Sequence, residues 1–145
     1  MNRAVCFLPG VFDMFHIGHL NVLRNAKAQC DYLIVGVSTD ELVQEYKSKR
    51  PIIPFSERKA IVESIKYVDC VVAQTTMDKM EAWKLLRYNV LFHGDDWKNS
   101  SMYLKIEKSL AEVGCNVVFL PHTPNISSSI LRDKISIKDG DKKWN

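Results

Sequence analysis

Five short apolar runs alternate along the chain with segments of helical spacing. Ala4-Val5-Cys6-Phe7-Leu8 opens the series as a β-favouring run, and Leu20, Leu23 and Ala26 follow at the spacing of one helix face. Asp31 to Val37 is almost continuously apolar, as a parallel strand covered on both sides should be. Ser38-Thr39-Asp40-Glu41 places hydroxyls and then carboxylates where a helix begins. A polar loop from Tyr46 to Pro54 leads to a helix over 55–66, with Ser56 as its cap and Ile61, Val62 and Ile65 on one side. A third strand is predicted over 68–73 and a short helix over 80–88. Val90-Leu91-Phe92-His93 reads as a fourth strand. Ser101 to Val113 is helical, with Tyr103, Ile106, Leu110 and Val113 on a stripe. Asn116 to Leu120 is the fifth strand, Ser127 to Ile135 a last helix, and 138–145 a frayed polar tail.

Regular strand–helix alternation without repeats predicts an α/β fold: one doubly wound, Rossmann-like domain over residues 1–137 with a five-stranded parallel sheet. Right-handed crossovers then bring the ends of strands one, four and five to the same edge. The loops 10–19, 93–97 and 121–129 should therefore converge. A length of 145 residues, 46% hydrophobic and 26% charged, suits one such core. No apolar run reaches spanning length, and Met1-Asn2-Arg3 leads directly into the first strand without room for a signal peptide. The four cysteines, Cys6, Cys30, Cys70 and Cys115, are widely spaced and fit free thiols in a cytoplasmic protein. A net charge of +3 is too small to imply nucleic acid. Its placement is more informative: Lys47, Lys49 and Arg50 lie together, with Arg58 and Lys59 just beyond.

Chemistry concentrates in Gly10-Val11-Phe12-Asp13-Met14-Phe15-His16-Ile17-Gly18-His19, a strand-to-helix turn. Gly10 allows a sharp bend, and Gly18 leaves space beside the imidazoles. Both histidines enter a helix N-terminus, where free N–H groups and the dipole favour an anion. The loop of lysines suits closure over a polyanion, although such runs are also ordinary solvated surface. Ser127-Ser128-Ser129 opens the last helix with hydroxyls, a second candidate phosphate grip and equally a common cap.

These segments, with Glu57-Arg58-Lys59, Tyr67-Val68-Asp69, Gly94-Asp95-Asp96-Trp97 and Ile126-Ser127-Ser128-Ser129 in that order, resemble the cytidylyltransferases of the nucleotidyltransferase superfamily. The glycerol-3-phosphate cytidylyltransferases are the most similar group, over residues 4 to 135. That resemblance implies that His16 and His19 contact the α-phosphate of a nucleoside triphosphate. It places Lys47 and Lys49 on the phosphates and the acceptor, and Arg58 on the substrate phosphate. Gly10, Val11, Phe12, Asp13 and Gly18 would line the nucleotide, with Asp13 orienting a histidine or helping to hold Mg2+. Gly94 and Asp95 would meet the nucleotide, and Asp96 and Trp97 the acceptor. His122, Thr123, Ile126, Ser127 and Ser128 would hold the outer phosphates. There the family's usual R-T-E-G-I-S-T-T is replaced by His122-Thr123-Pro124-Asn125-Ile126-Ser127-Ser128-Ser129, which loses a fixed charge at 122. Asn125 replaces glycine and is the best substitute where φ is positive. Lys66 stands where relatives tend to have arginine.

The expected reaction is transfer of CMP from CTP to a small alcohol phosphate, glycerol 3-phosphate first, with Mg2+ accompanying the nucleotide and no protein-held metal. A homodimer is implied by the family. Competing readings are an ATP-using enzyme of the same fold, a class I aminoacyl-tRNA synthetase fragment (His16–His19 spells HIGH), and a nucleotide-binding module without activity. No K-M-S-K-S-like element accompanies the HIGH run, which counts against the second.

Overall fold

The computed structural model describes residues 3–94 and 98–141, the side chains of 137–141 excepted. Its elements run β1 (Val5–Gly10), α1 (Ile17–Lys27), β2 (Tyr32–Ser38), α2 (Asp40–Lys47), α3 (Phe55–Glu63) and β3 (Cys70–Gln74). They continue with α4 (Lys79–Leu86), β4 (Val90–Gly94), α5 (Ser101–Ala111), β5 (Asn116–Leu120) and α6 (Ser128–Asp141). The five strands form one sheet in the order β3-β2-β1-β4-β5, every pair parallel. Alternation along β1 sends Cys6 and Leu8 to one buried face, with Leu23, Val35 and Val62, and Phe7 to the other, with Ile34, Tyr88 and Leu91. Apolar residues therefore fill both sides of the central strands, which is why β2 reads as an unbroken apolar run.

Order reverses between β1 and β4, because β1 leads outward to β2 on one side while β4 and β5 lie on the other. The β1–β2 ladder is complete from Val5 to Gly10. The β1–β4 ladder holds only Cys6 against Val90 and Phe7 against Leu91. Beyond Leu8 the two strand ends separate, and their loops leave a crevice at the switch point.

Several boundaries differ from expectation. α3 begins at Phe55 after Pro54, with no side-chain cap from Ser56, because proline's fixed φ already suits a helix start. It ends at Glu63, where the Ser64 hydroxyl donates to Ile61 O, and Ile61 faces solvent while Val62 is fully buried. α5 stops at Ala111 ahead of Gly114, whose φ is +80°, and Val113 lies outside the helix, exposed. α6 runs to Asp141, past Lys138, where the sequence predicts a tail. All four cysteines are free thiols, Cys6 and Cys115 buried and the other two half-buried.

Candidate active site

The β1–α1 loop carries two non-glycine residues in the left-handed region, Phe12 at φ 57° and Met14 at φ 49°. Such residues cost on the order of 1–3 kcal/mol each and persist where surroundings over-determine them. Here they do. Asp13 is 3% exposed, and its carboxylate accepts the amides of Ile52 and Ile53, both at 2.9 Å. Arg58 is 1% exposed and donates to the carbonyls of Val11, Ser38 and Ile53 at 2.7–2.8 Å. Its remaining bond is an ion pair of 2.6 Å with Asp40. One guanidinium thus joins the ends of β1 and β2, the start of α2 and the loop before α3.

His16 is the N-cap of α1, and its Nδ1 accepts the Gly18 amide at 3.0 Å. His19 completes the capping box: its Nδ1 accepts the His16 amide at 3.1 Å. The rings stack at 3.8 Å between centroids. A Cβ on Gly18 would lie 2.8 Å from the His16 ring, so only glycine fits between the two histidines. Because each Nδ1 receives a backbone N–H, the network assigns the proton of each neutral imidazole to Nε2. Burial lowers the pKa of both, and for His19 burial and then the His16 ring bring it to about 3. Neutral pH therefore leaves two uncharged donors with fixed tautomers. The His16 Nε2 is buried and has no partner.

An open cavity of about 380 Å3 lies at the switch point. Its wall brings together Gly10, Val11, Phe12, Asp13 and His19 from the first loop, Lys47 from the end of α2, His93 and Gly94 from the tip of β4, and Ser127, Ser128, Ser129 and Arg132 from α6. Of the three loops expected to converge, the described residues Gly10–Asp13 and His19, His93–Gly94, and Ser127–Ser129 meet at this wall. A Cβ on Gly94 would meet none of the described residues within 4 Å. Ser127 caps α6 by accepting the Ile130 amide at 3.1 Å, and the Ser128 hydroxyl donates to Asp13 O. The first amides of α6, which lack intrahelical partners by geometry, sit at this end of the helix. Burial and then the charges of Arg132 and Lys49 lower the Lys47 pKa.

Other residues named from sequence stand elsewhere. Arg58 cannot reach a substrate phosphate from its buried place; its donors hold backbone, and it fixes the site's shape. The Asp13 carboxylate lines the cavity, but both its oxygens accept the amides of Ile52 and Ile53, and His19 feels its charge only through space. Gly18 and His16 form the layer behind His19. Thr123 accepts a 2.8 Å bond from Asn21 Nδ2, and Ile126 packs over Gly18, so both tie the β5–α6 loop to α1. Lys49 and His122 are exposed and off the cavity wall. Asn125 has φ 65°, the conformation that favours asparagine as glycine's substitute. Asp95, Asp96 and Trp97 lie outside the described residues. Sequence reasoning missed His93 and Arg132. His93 ends an apolar run beside glycine, and its Nδ1 accepts the Gly94 amide at 2.9 Å. Arg132 follows Ser128 by four residues, the interval that stacks side chains on one helix face.

The chain is similar in sequence to known cytidylyltransferases. Glycerol-3-phosphate cytidylyltransferase of Bacillus subtilis is 35% identical over 138 residues, 94% of this chain and 98% of that protein. The Staphylococcus aureus enzyme of the same name is 33% identical over 96% of this chain and 98% of its own length. Ethanolamine-phosphate cytidylyltransferase of Dictyostelium discoideum is 43% identical over 100 residues, 66% of this chain and 27% of that one. Among solved structures, a lipopolysaccharide core biosynthesis protein from Thermoplasma volcanium superposes with a TM-score of 0.70 at 24% identity, covering 84% of this chain and 98% of that one. At that identity it supports the fold alone. The cytidylyltransferase-like family model matches residues 7–134, and with relatives above 30% identity along nearly the whole length, the chain belongs to the cytidylyltransferase-like family.

Proposed function

We propose that the protein transfers CMP from CTP to a small alcohol phosphate, glycerol 3-phosphate foremost, giving a CDP-alcohol and pyrophosphate. The observation that carries this reading is the neutral imidazole of His19, backed by that of His16, at a cavity that also collects Lys47 and the first turn of α6. An oxygen of the acceptor's phosphate attacks the α-phosphorus in line. The bond from that phosphorus to the bridging oxygen breaks, and its electron pair leaves with pyrophosphate. Little covalent work falls to the protein, so positioning and charge stabilisation dominate. The Nε2–H of His19, with that of His16 behind it, donates toward the α-phosphate as charge builds, and a preorganised donor of this kind contributes about 3–4 kcal/mol. Lys47 and the α6 amides neutralise the phosphates beyond it.

Mg2+ is part of this proposal as the companion of the triphosphate. Among the described residues no three His, Cys, Asp or Glu side chains converge on a metal position, and the Asp13 carboxylate is already occupied. No step of the proposal is assigned to the ion. No helix among the described residues is long and apolar enough to cross a membrane. The homodimer implied by the family belongs to the same proposal, and light scattering tests it, a monomer mass refuting it.

Ethanolamine phosphate is the second acceptor to consider, supported by the 43% identity to the Dictyostelium relative. Pyrophosphate release with CTP or ATP, against a panel of phosphorylated alcohols, decides among these. Turnover with CTP and glycerol 3-phosphate is expected. Preference for ATP refutes the nucleotide, and tight CTP binding without turnover refutes catalysis.

A further inference from the structure

Away from the crevice, a second cavity of about 270 Å3 opens between the edge strand β3 and α4. The two cavities share no residue of their walls. This one is lined mainly by apolar side chains, Phe7 from β1, Val72 from β3 and Leu85 and Leu86 from α4, with Leu85 85% exposed. Gln74, the last residue of β3, also lines it and is 7% exposed. Its Nε2 donates to Thr76 O at 3.2 Å, which fixes the acceptor end of the amide. That Oε1 is buried and has no hydrogen-bond partner among the described residues. It lies over β2 near the Phe7 ring, for a Cβ on Gly36 would meet both, Phe7 at 2.7 Å and Oε1 at 3.4 Å. A buried acceptor left unpaired is costly, and a donor brought to it gains a bond that the fold itself does not make. Charge selects the donor. Glu81 is on the wall, and no lysine, arginine or histidine is. The Glu81 carboxylate shares only a 3.4 Å exposed contact with Lys84, a pair of little strength. Anions therefore find no partner on this wall, and a cation does. Volume sets the size: drug-sized ligands occupy about 300–1,000 Å3, so the space suits one ring with a short arm.

We propose that this cavity is a binding site for a small primary amine with an apolar ring, distinct from the crevice at the switch point. The ring packs against Phe7, Val72 and Leu86, an N–H of the ammonium group donates to Gln74 Oε1, and Glu81 favours its charge. No covalent bond forms or breaks. Neither the acceptor nor the reaction proposed above bears on it.

Titration of the 15N-labelled full chain with benzylamine, toluene and benzoate, followed by NMR, tests it. Benzylamine is expected to bind saturably, to shift the Gln74 side-chain amide and the backbone amides of Leu85 and Leu86, and to bind about 10-fold more tightly than toluene or benzoate. CTP should not displace it. Gln74→Leu should bring benzylamine down to the level of toluene, and Gln74→Met makes the same comparison should the leucine variant not fold. Glu81→Gln should weaken benzylamine about 2- to 3-fold and leave toluene unchanged. Ala82→Met, which fills the cavity from α4, should abolish the binding of all three. Shifts at His19 and Gly94 in place of Gln74, or displacement by CTP, put the amine in the crevice and overturn the proposal. Equal affinity for the three probes overturns it too, as does an unchanged benzylamine-to-toluene ratio in Gln74→Leu or the lack of any saturable response.

Discussion

The two loops that flank the cavity are built in opposite ways. The β1–α1 loop is buried at Phe12 and Asp13, held by the Asp13 and Arg58 bonds, and closed by a reciprocal histidine cap. The β5–α6 loop exposes Pro121, His122, Pro124 and Asn125, and it is tied to the rest by contacts that include the Asn21–Thr123 bond and the Ser128 hydroxyl on Asp13 O. In the proposed reaction the rigid loop would sit where charge develops, and donors fixed beforehand would cost no reorganisation there. The looser loop borders the helix that would hold the departing product, which must be released. Preorganisation and adaptability are divided between the two sides of one cavity.

The sharpest way to break this comparison is to remove the hub of the rigid side. Arg58→Met leaves Asp40 and three carbonyls without their donor, and denaturant unfolding should show a loss of about 3–5 kcal/mol. A loss under about 1 kcal/mol would mean the first loop holds itself. Next in size is His19→Asn, which should reduce turnover about 10²- to 10³-fold while the protein still folds, as steady-state kinetics and a melting curve would show. Acid should act on the same side. The pKa of His16 is lowered, that of His19 lies at about 3 and that of His93 at about 4, so the unfolded chain binds more protons than the folded one from below the ordinary histidine range down through these values. Stability should therefore fall as pH drops below about 6.5. His19→Asn should flatten that slope, and a melting profile as steep as wild type would refute the assignment. Smallest is Asn125→Gly on the loose side, which should change unfolding free energy by no more than about 0.5 kcal/mol, since asparagine already tolerates the left-handed backbone.

The strands were legible because burial on both sides leaves an apolar run whatever the neighbours are. The histidine turn was legible for a related reason: its cap, its glycine and its imidazoles all act within four residues. Arg58 and the Asp13 carboxylate differ from expectation because a charged side chain reads the same whether it binds a ligand or backbone 47 or 40 residues away, although Asp13 does line the cavity. Only the packing of α3 against β2 and β3 reveals which. Arg132 was missed because its role depends on where α6 docks, although its interval from Ser128 was visible. His122 stands at an altered motif position, yet it is exposed and not among the residues of the cavity wall.

The Ser128 hydroxyl on Asp13 O joins residues 115 apart in sequence. Synthesis reaches Ser128 long after the first loop has emerged, so a growing chain complete through β5 possesses the imidazoles but no floor beneath them. Under the proposed function, nucleotide would bind best once α6 has docked, so that ligand would favour the docked state of that helix.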